Sequence, residues 1–263
     1  MYNVIKAQIY QLKRSKSTYL IIFIALIFLV MGIVLELGSQ GDDASASSML
    51  MAMAESYVLF IPMITMAYTA SICGGDLNDK TINYELLTGT DRRCVFFGRV
   101  LVSLTVNIIV TAFLLVVPVL IFTAFLGWGH TMSPEDAIMR CAATLFPLIR
   151  LTAFYAMLSF LIKSSVGVYA IGYILTFIEM VLMVFIEELF STKALMYIMS
   201  VDLLDRILIP QNFRYGFFEE QDVMVVKDVM ETSAVLHAAA AGIIGTAVFL
   251  FIGYKLFSKS DMD

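Results

Sequence analysis

The fold class predicted from this sequence is an all-α integral membrane protein with six transmembrane helices, on three observations. Of 263 residues, 60% are hydrophobic and 15% charged, with a mean hydropathy of +0.88; soluble domains are about a quarter charged. Six apolar stretches approach or exceed the roughly 20 residues that a helix needs to cross a bilayer. Basic residues gather in the links at one set of span ends and are nearly missing from the other.

The spans are Tyr19–Leu37, Met49–Cys73, Val100–Leu126, Ile138–Ile162, Val166–Ile186 and Ala234–Tyr254. The first is preceded by Lys13, Arg14 and Lys16 and followed by Ala44-Ser45-Ala46, as in a signal peptide. Its apolar core is too long for that role and the small residues lie too far beyond it, so it reads as a retained span. Lys6, Lys13, Arg14 and Lys16 precede span one, and Lys80, Arg92, Arg93 and Arg99 follow span two. Lys163 sits in the turn between spans four and five, and Lys255 and Lys259 follow span six. The links GSQGDDASAS and GWGHTMSPE carry neither Lys nor Arg. This asymmetry predicts both termini in the cytoplasm and the chain as one six-span domain over residues 1–263. The long segment 187–232 holds Lys193, Arg206, Arg214 and Lys227 against nine acids and is expected outside.

Before the first span, Tyr2, Ile5, Ile9 and Leu12 recur at three- and four-residue steps, predicting an amphipathic helix over residues 1–16 that lies in the lipid headgroup layer. After the second span comes GGDLNDKTINYELLTGTDRR, Gly74–Arg93. Its glycines and Lys80-Thr81 suggest a phosphate loop, but that loop needs glycine directly before the lysine, and Asp79 stands there. The segment reads instead as a short helix: Asn78 or Asp79 caps it, KTINYELLT forms about two and a half turns, and Gly89 stops it. Ile82, Tyr84, Leu86 and Leu87 give it apolar contacts, while Lys80, Asn83 and Glu85 are polar. Thr90 or Asp91 then caps a helix running through Arg92, Arg93 and Arg99 into span three. A link between spans needs only a few residues, so this longer one reads either as an ordinary solvated loop or as a docking element for a cytosolic partner.

Ionisable residues within spans are functional candidates by default. Glu55 and Arg140 fall near outer span ends. Arg150 lies 13 residues before Lys163 and Glu179 13 after Val166, which puts both about 20 Å from the same membrane edge on adjacent helices and makes an ion pair feasible. Structural pairing and the lining of a transport path are both open to them. Met49, Met51 and Met53 suggest copper, but only Met49 and Met53 share a helix face, so no metal is expected. Ala238 with Gly242 and Ala241 with Gly245 have the small-xxx-small spacing of close helix packing. Glu187-Glu188 resembles the start of the CAAX-type protease signature, but Thr192 stands where arginine is required. The three cysteines form no framework, and neither a nucleophile–base set nor a nucleic-acid signal is present.

The run D-L-N-D-K-T-I-N-Y-E-L-L-T-G-T-D-R-R resembles the cytosolic signature of ATP-binding-cassette type 2 (ABC-2-type) exporter permeases: an acid, Lys-Thr, two leucines, a turn and a basic pair. The matching positions are Asp76, Asp79, Lys80, Thr81, Ile82, Tyr84, Glu85, Leu86, Leu87, Arg92 and Arg93. The resemblance extends to the order of elements, and its Lys-Thr form is similar to peptide exporters and bacteriocin-immunity permeases of Gram-positive bacteria. It implies a coupling helix within residues 74–99, re-entrant outer helices in 187–232, and a location in the bacterial cell membrane. It also implies two separate cytosolic ATPase subunits that hold ATP and Mg, a second permease copy or paralogue, and no cofactor in this chain. The competing expectations are an ion-coupled secondary transporter using Arg150 and Glu179, and a non-transporting sensor or immunity protein.

Orientation is directly measurable. In a background lacking Cys73, Cys94 and Cys141, cysteines at Ser39, Thr131 and Gln221 should label in intact cells, whereas those at Asn83 and Ser260 should label only after permeabilisation. Labelling of Asn83 in intact cells would invert the topology.

Overall fold

The computed structural model describes residues 1–40, 45–78, 81–190, 199–209 and 230–259. It is helical throughout, with no strand among the described residues. In chain order the helices are α1 (Tyr2–Arg14), α2 (Lys16–Gln40), α3 (Ala46–Asn78), α4 (Ile82–Leu87), α5 (Arg92–Leu126), α6 (Pro134–Ala143), α7 (Leu145–Ile162), α8 (Ser165–Phe190), α9 (Ser200–Leu208) and α10 (Thr232–Lys259). Six helical stretches are long and apolar enough to cross a membrane: Lys16–Val34, Ser56–Leu77, Arg92–Leu126, Pro134–Ile162, Ser165–Leu182 and Thr232–Lys259.

The predicted spans correspond one to one with these stretches, but their ends differ. Helix α3 has 33 residues and α5 has 35, about 50 Å each and well beyond the roughly 30 Å of hydrocarbon. Gly74–Asn78, read from the sequence as part of the link, continues α3. The expected fourth span is two helices, broken at Thr144. Pro147 accounts for the break: it has no N–H to offer the Ala143 carbonyl, and its ring crowds that carbonyl. Of the segment 187–232, α9 and the flanking ends of α8 and α10 are described; residues 191–198 and 210–229 lie outside the described residues.

Helix α3 is the centre of the bundle, packing against α2, α5, α7, α8 and α9. Its methionines divide by face as the helical period requires. Met49 and Met53 join a core with Tyr57, Ile61, Leu114 and Leu148, while Met51 packs with Met132 and Ala137.

The most extensive helix pair is α7 with α10. Gly242 lies against the backbone of Phe146, Gly245 against the Arg150 side chain and Gly253 against Met157. Small residues let these backbones approach, which is how helices gain dispersion energy where lipid removes the hydrophobic drive.

A Cβ added at Gly242 would lie 2.9 Å from both the Cβ and the carbonyl oxygen of Phe146. Gly242→Val should therefore cost about 1–3 kcal/mol and lower the melting temperature in detergent. Gly75→Ala, where a Cβ meets nothing within 4 Å, should not. Equal melting temperatures would show that α7 and α10 are not held by this contact.

Candidate functional site

One buried cation organises the end of the bundle that carries α1 and α4. Arg99 sits two turns into α5 with its side chain fully buried. A guanidinium in that position needs acceptors for most of its donors; both terminal nitrogens have them, while the buried Nε makes no hydrogen bond among the described residues. Nη1 lies 2.7 Å from Oδ2 of Asp76 and donates to the Ile72 carbonyl at 3.2 Å. Nη2 donates to Oε2 of Glu85 at 3.0 Å. Two carboxylates, one from the last turns of α3 and one from α4, thus flank a single cation.

Asp76 also joins α1 to the cluster. Gln8 Nε2 donates to its Oδ2 at 3.0 Å and Gln11 Nε2 to its Oδ1 at 2.9 Å. This pull sets how α1 is rotated. Val4 and Gln8 are buried, with Ile5 and Leu12 packed on the same cluster, whereas Tyr2 and Ile9, assigned to the apolar stripe from the sequence, are exposed. Gly98 permits the close approach, since a Cβ there would lie 3.1 Å from Val4 Cγ1.

Helix α4 is shorter than the Asp79–Thr88 helix expected. It begins at Ile82 after Thr81, whose side chain makes no capping bond, and ends at Leu87 before Gly89 at φ 85°. Asp79 and Lys80 lie outside the described residues. Thr81 Oγ1 donates to the Asp76 carbonyl at 3.3 Å. Ile82 is buried and Leu86 packs against the same core, so α4 is anchored by two apolar side chains and by Glu85. Tyr84 and Leu87 point away, at 72% and 82% exposure.

Arg92 and Arg93 turn to another partner. Arg92 Nη1 donates to the Ser258 carbonyl at 2.9 Å, and Arg93 Nε donates to the Tyr254 hydroxyl at 3.0 Å. The pair ties the start of α5 to the end of α10, where carbonyls lack helical donors.

The remaining candidates sit at or toward the opposite end. Arg140 Nε donates to Asp136 at 2.7 Å and Nη1 to the Ile207 carbonyl at 2.9 Å. Asp136 in turn accepts from the Met230 N–H at 2.8 Å. Both charged side chains are buried, so the pair links α6 to α9 and to the approach to α10. Glu179 accepts from the Val201 N–H at 3.0 Å and satisfies the start of α9. The Arg150 guanidinium lies 6.0 Å from the Phe249 ring centroid and its side chain against Gly245. The Glu55 side chain lies outside the described residues. Between the two ends, Asn107 Nδ2 donates to Thr69 Oγ1 at 3.0 Å and Thr152 Oγ1 at 3.1 Å, joining α5, α3 and α7.

Gln8, Gln11 and Arg99 were not among the site residues expected from the sequence. Arg99 had a signal: it stands inside an apolar run that starts at Cys94. The glutamines carry none, because their partner is 65 and 68 residues away.

Among the described residues no group of three His, Cys, Asp or Glu is placed to hold a metal ion. Comparison with protein-family models, curated proteins and solved structures returns no match. The arrangement defines a membrane protein with a short helix clamped by charge at one end of its bundle.

Arg99→Met should leave Asp76 buried beside an apolar side chain, at a cost of about 3–5 kcal/mol. Arg99→Lys should recover only part of that, because one ammonium cannot span two carboxylates as the planar fork does. Melting temperatures in detergent should fall in the order wild type, Arg99→Lys, Arg99→Met. A wild-type value for Arg99→Met would show that the clamp contributes nothing.

Proposed function

We propose that this chain is the transmembrane permease subunit of an ATP-driven ABC-2-type exporter in a bacterial cell membrane. Its α4 docks a separate cytosolic ATPase. The observation that carries the reading is the mounting of α4, held to α1, α3 and α5 through Arg99 and presenting Tyr84 and Leu87 to solvent. A large aromatic and a leucine this exposed on a polar segment outside the spans suit a protein contact.

In this reading both termini and α4 are cytoplasmic. Two ATPase subunits bind ATP and Mg, and two permeases, identical or paralogous, enclose the path. ATP-driven closure of the ATPases pushes on α4, and the rigid clamp passes the push to α3 and α5, producing alternating access. Helix α9 serves as a re-entrant element closing the outer end, supported by its burial and by its ties to Glu179 and Arg140. Helix α1, with Tyr2 and Ile9 facing outward, lies at the headgroup layer. The proposed cargo is a peptide or another amphipathic compound, in export or immunity.

Surface substitutions seldom alter stability, so contact and folding are separable. Leu87→Asp and Tyr84→Asp should each leave the melting temperature unchanged and abolish co-purification of an ATPase from the native host. Ile82→Asp, at a buried position, should lower the melting temperature instead. Undiminished ATPase recovery with the Tyr84→Asp/Leu87→Asp double variant would end this assignment.

A further inference from the structure

We propose that an anionic phospholipid binds in the groove between α2 and α5, with one acyl chain inside it and the phosphate at Lys13, Arg14 and Lys16. This site depends only on the chain spanning a membrane, and not on the exporter reading.

The groove is a cavity of about 210 Å³ lined by Ile22, Ala25 and Leu26 of α2 and by Ile109, Val110 and Phe113 of α5. Helix α2 exposes most of its surface here: in its membrane-length part only 11% of the residues are buried. An apolar cavity open to the bilayer is a place for a hydrocarbon chain. Its position along α2 sets the other end of the ligand. Ile22 is six residues and Leu26 ten residues beyond Lys16, which is about 9 and 15 Å along the helix. One leaflet of hydrocarbon is about 15 Å thick, so the cavity lies at acyl-chain depth beneath a headgroup placed at Lys16.

The corner between α1 and α2 carries three cations at that level. Lys13, Arg14 and Lys16 are exposed and flank Ser15 at the α1–α2 corner. None of them forms an ion pair among the described residues. Arg14 is held in place by donating to the Tyr10 hydroxyl at 2.7 Å, with its guanidinium 5.5 Å from that ring's centroid. Tyr19 Oη donates to the Lys13 carbonyl at 2.8 Å, closing the corner across Ser15. Three exposed cations, one of them held in place, at the headgroup end of the helix that lines an apolar slot match a phosphate diester carrying an acyl chain.

Native mass spectrometry and thermal melting of the detergent-purified protein test this, with phosphatidylglycerol and phosphatidylcholine of identical chains as probes. Phosphatidylglycerol should survive delipidation preferentially and raise the melting temperature more. The Lys13→Gln/Arg14→Gln/Lys16→Gln variant, changed only at exposed positions, should lose that preference, by about fivefold for each charge removed. Val110→Phe, which fills the cavity, should reduce retention of both lipids. Equal retention of the two lipids by the wild type would overturn the proposal, as would an unaltered preference in the triple variant. Glycerol phosphate stabilising as strongly as the lipid would also overturn it, because the acyl chain would then have no part.

Discussion

The Arg99 guanidinium is the constraint on which one end of this protein depends. Taking a cation out of water costs several kcal/mol even after relaxation. At full burial it persists only if neighbouring helices supply acceptors to it and support to those acceptors. Asp76 and Ile72 come from α3 and Glu85 from α4, while Gln8 and Gln11 of α1 complete the coordination of Asp76. Four helices separated in sequence must meet at one point for the charge to be tolerated. The cluster therefore specifies position more than it adds net stability. An apolar core alone would let a six-residue helix such as α4 slide, since a helix that short has little intrinsic stability.

The same logic recurs toward the opposite end with different chemistry. Arg140 and Asp136 are buried as a pair and spend their remaining capacity on backbone groups near α9 and α10. Glu179 spends its carboxylate on the start of α9. Neutral groups occupy the middle: Asn107 with Thr69 and Thr152, and Tyr155 with Thr176. Desolvation is most severe at mid-bilayer, so amides and hydroxyls join helices there at a smaller cost than charges. A polar seam thus runs through α3, α5 and α7, with most of its charge toward the ends.

What was legible in the sequence follows from which interactions are local. The six spans were legible because hydrophobicity acts on about 20 consecutive residues. Gly89 was legible as the stop of α4 because a left-handed turn is a property of one residue. The break at Thr144 was written in Pro147 but masked by the apolar run around it. The rotation of α1 was not legible: Tyr2 and Ile9 are apolar, yet Gln8 faces inward because Asp76, far along the chain, offers acceptors. Arg99 was read as one more basic residue marking a membrane side. Its burial depends on Asp76 and Glu85 arriving from either side of a turn, and no period in the sequence encodes that meeting.

These contacts also divide the bundle by how firmly its helices are held. Helices α7 and α10 are locked by glycines that admit backbone contact, α3, α5 and α7 by the Asn107 bonds, and α4 to α3 and α5 by Arg99. Helix α2 has one close glycine contact, at Gly32, where an added Cβ would lie 2.8 Å from Met53 Cε of α3, the end of a flexible side chain and not backbone. Among the described residues it makes no hydrogen bond to another membrane-length helix, and apolar cavities lie along it on the α3 side and the α5 side. Its inward residues, such as Ala25 and Leu29, meet apolar neighbours. The polar contacts between helices are therefore concentrated on α3, α5 and α7, and α2 is held by apolar side chains. Because α2 follows α1 across only Ser15, and α1 is held to Asp76, the basic corner fixes where α2 starts.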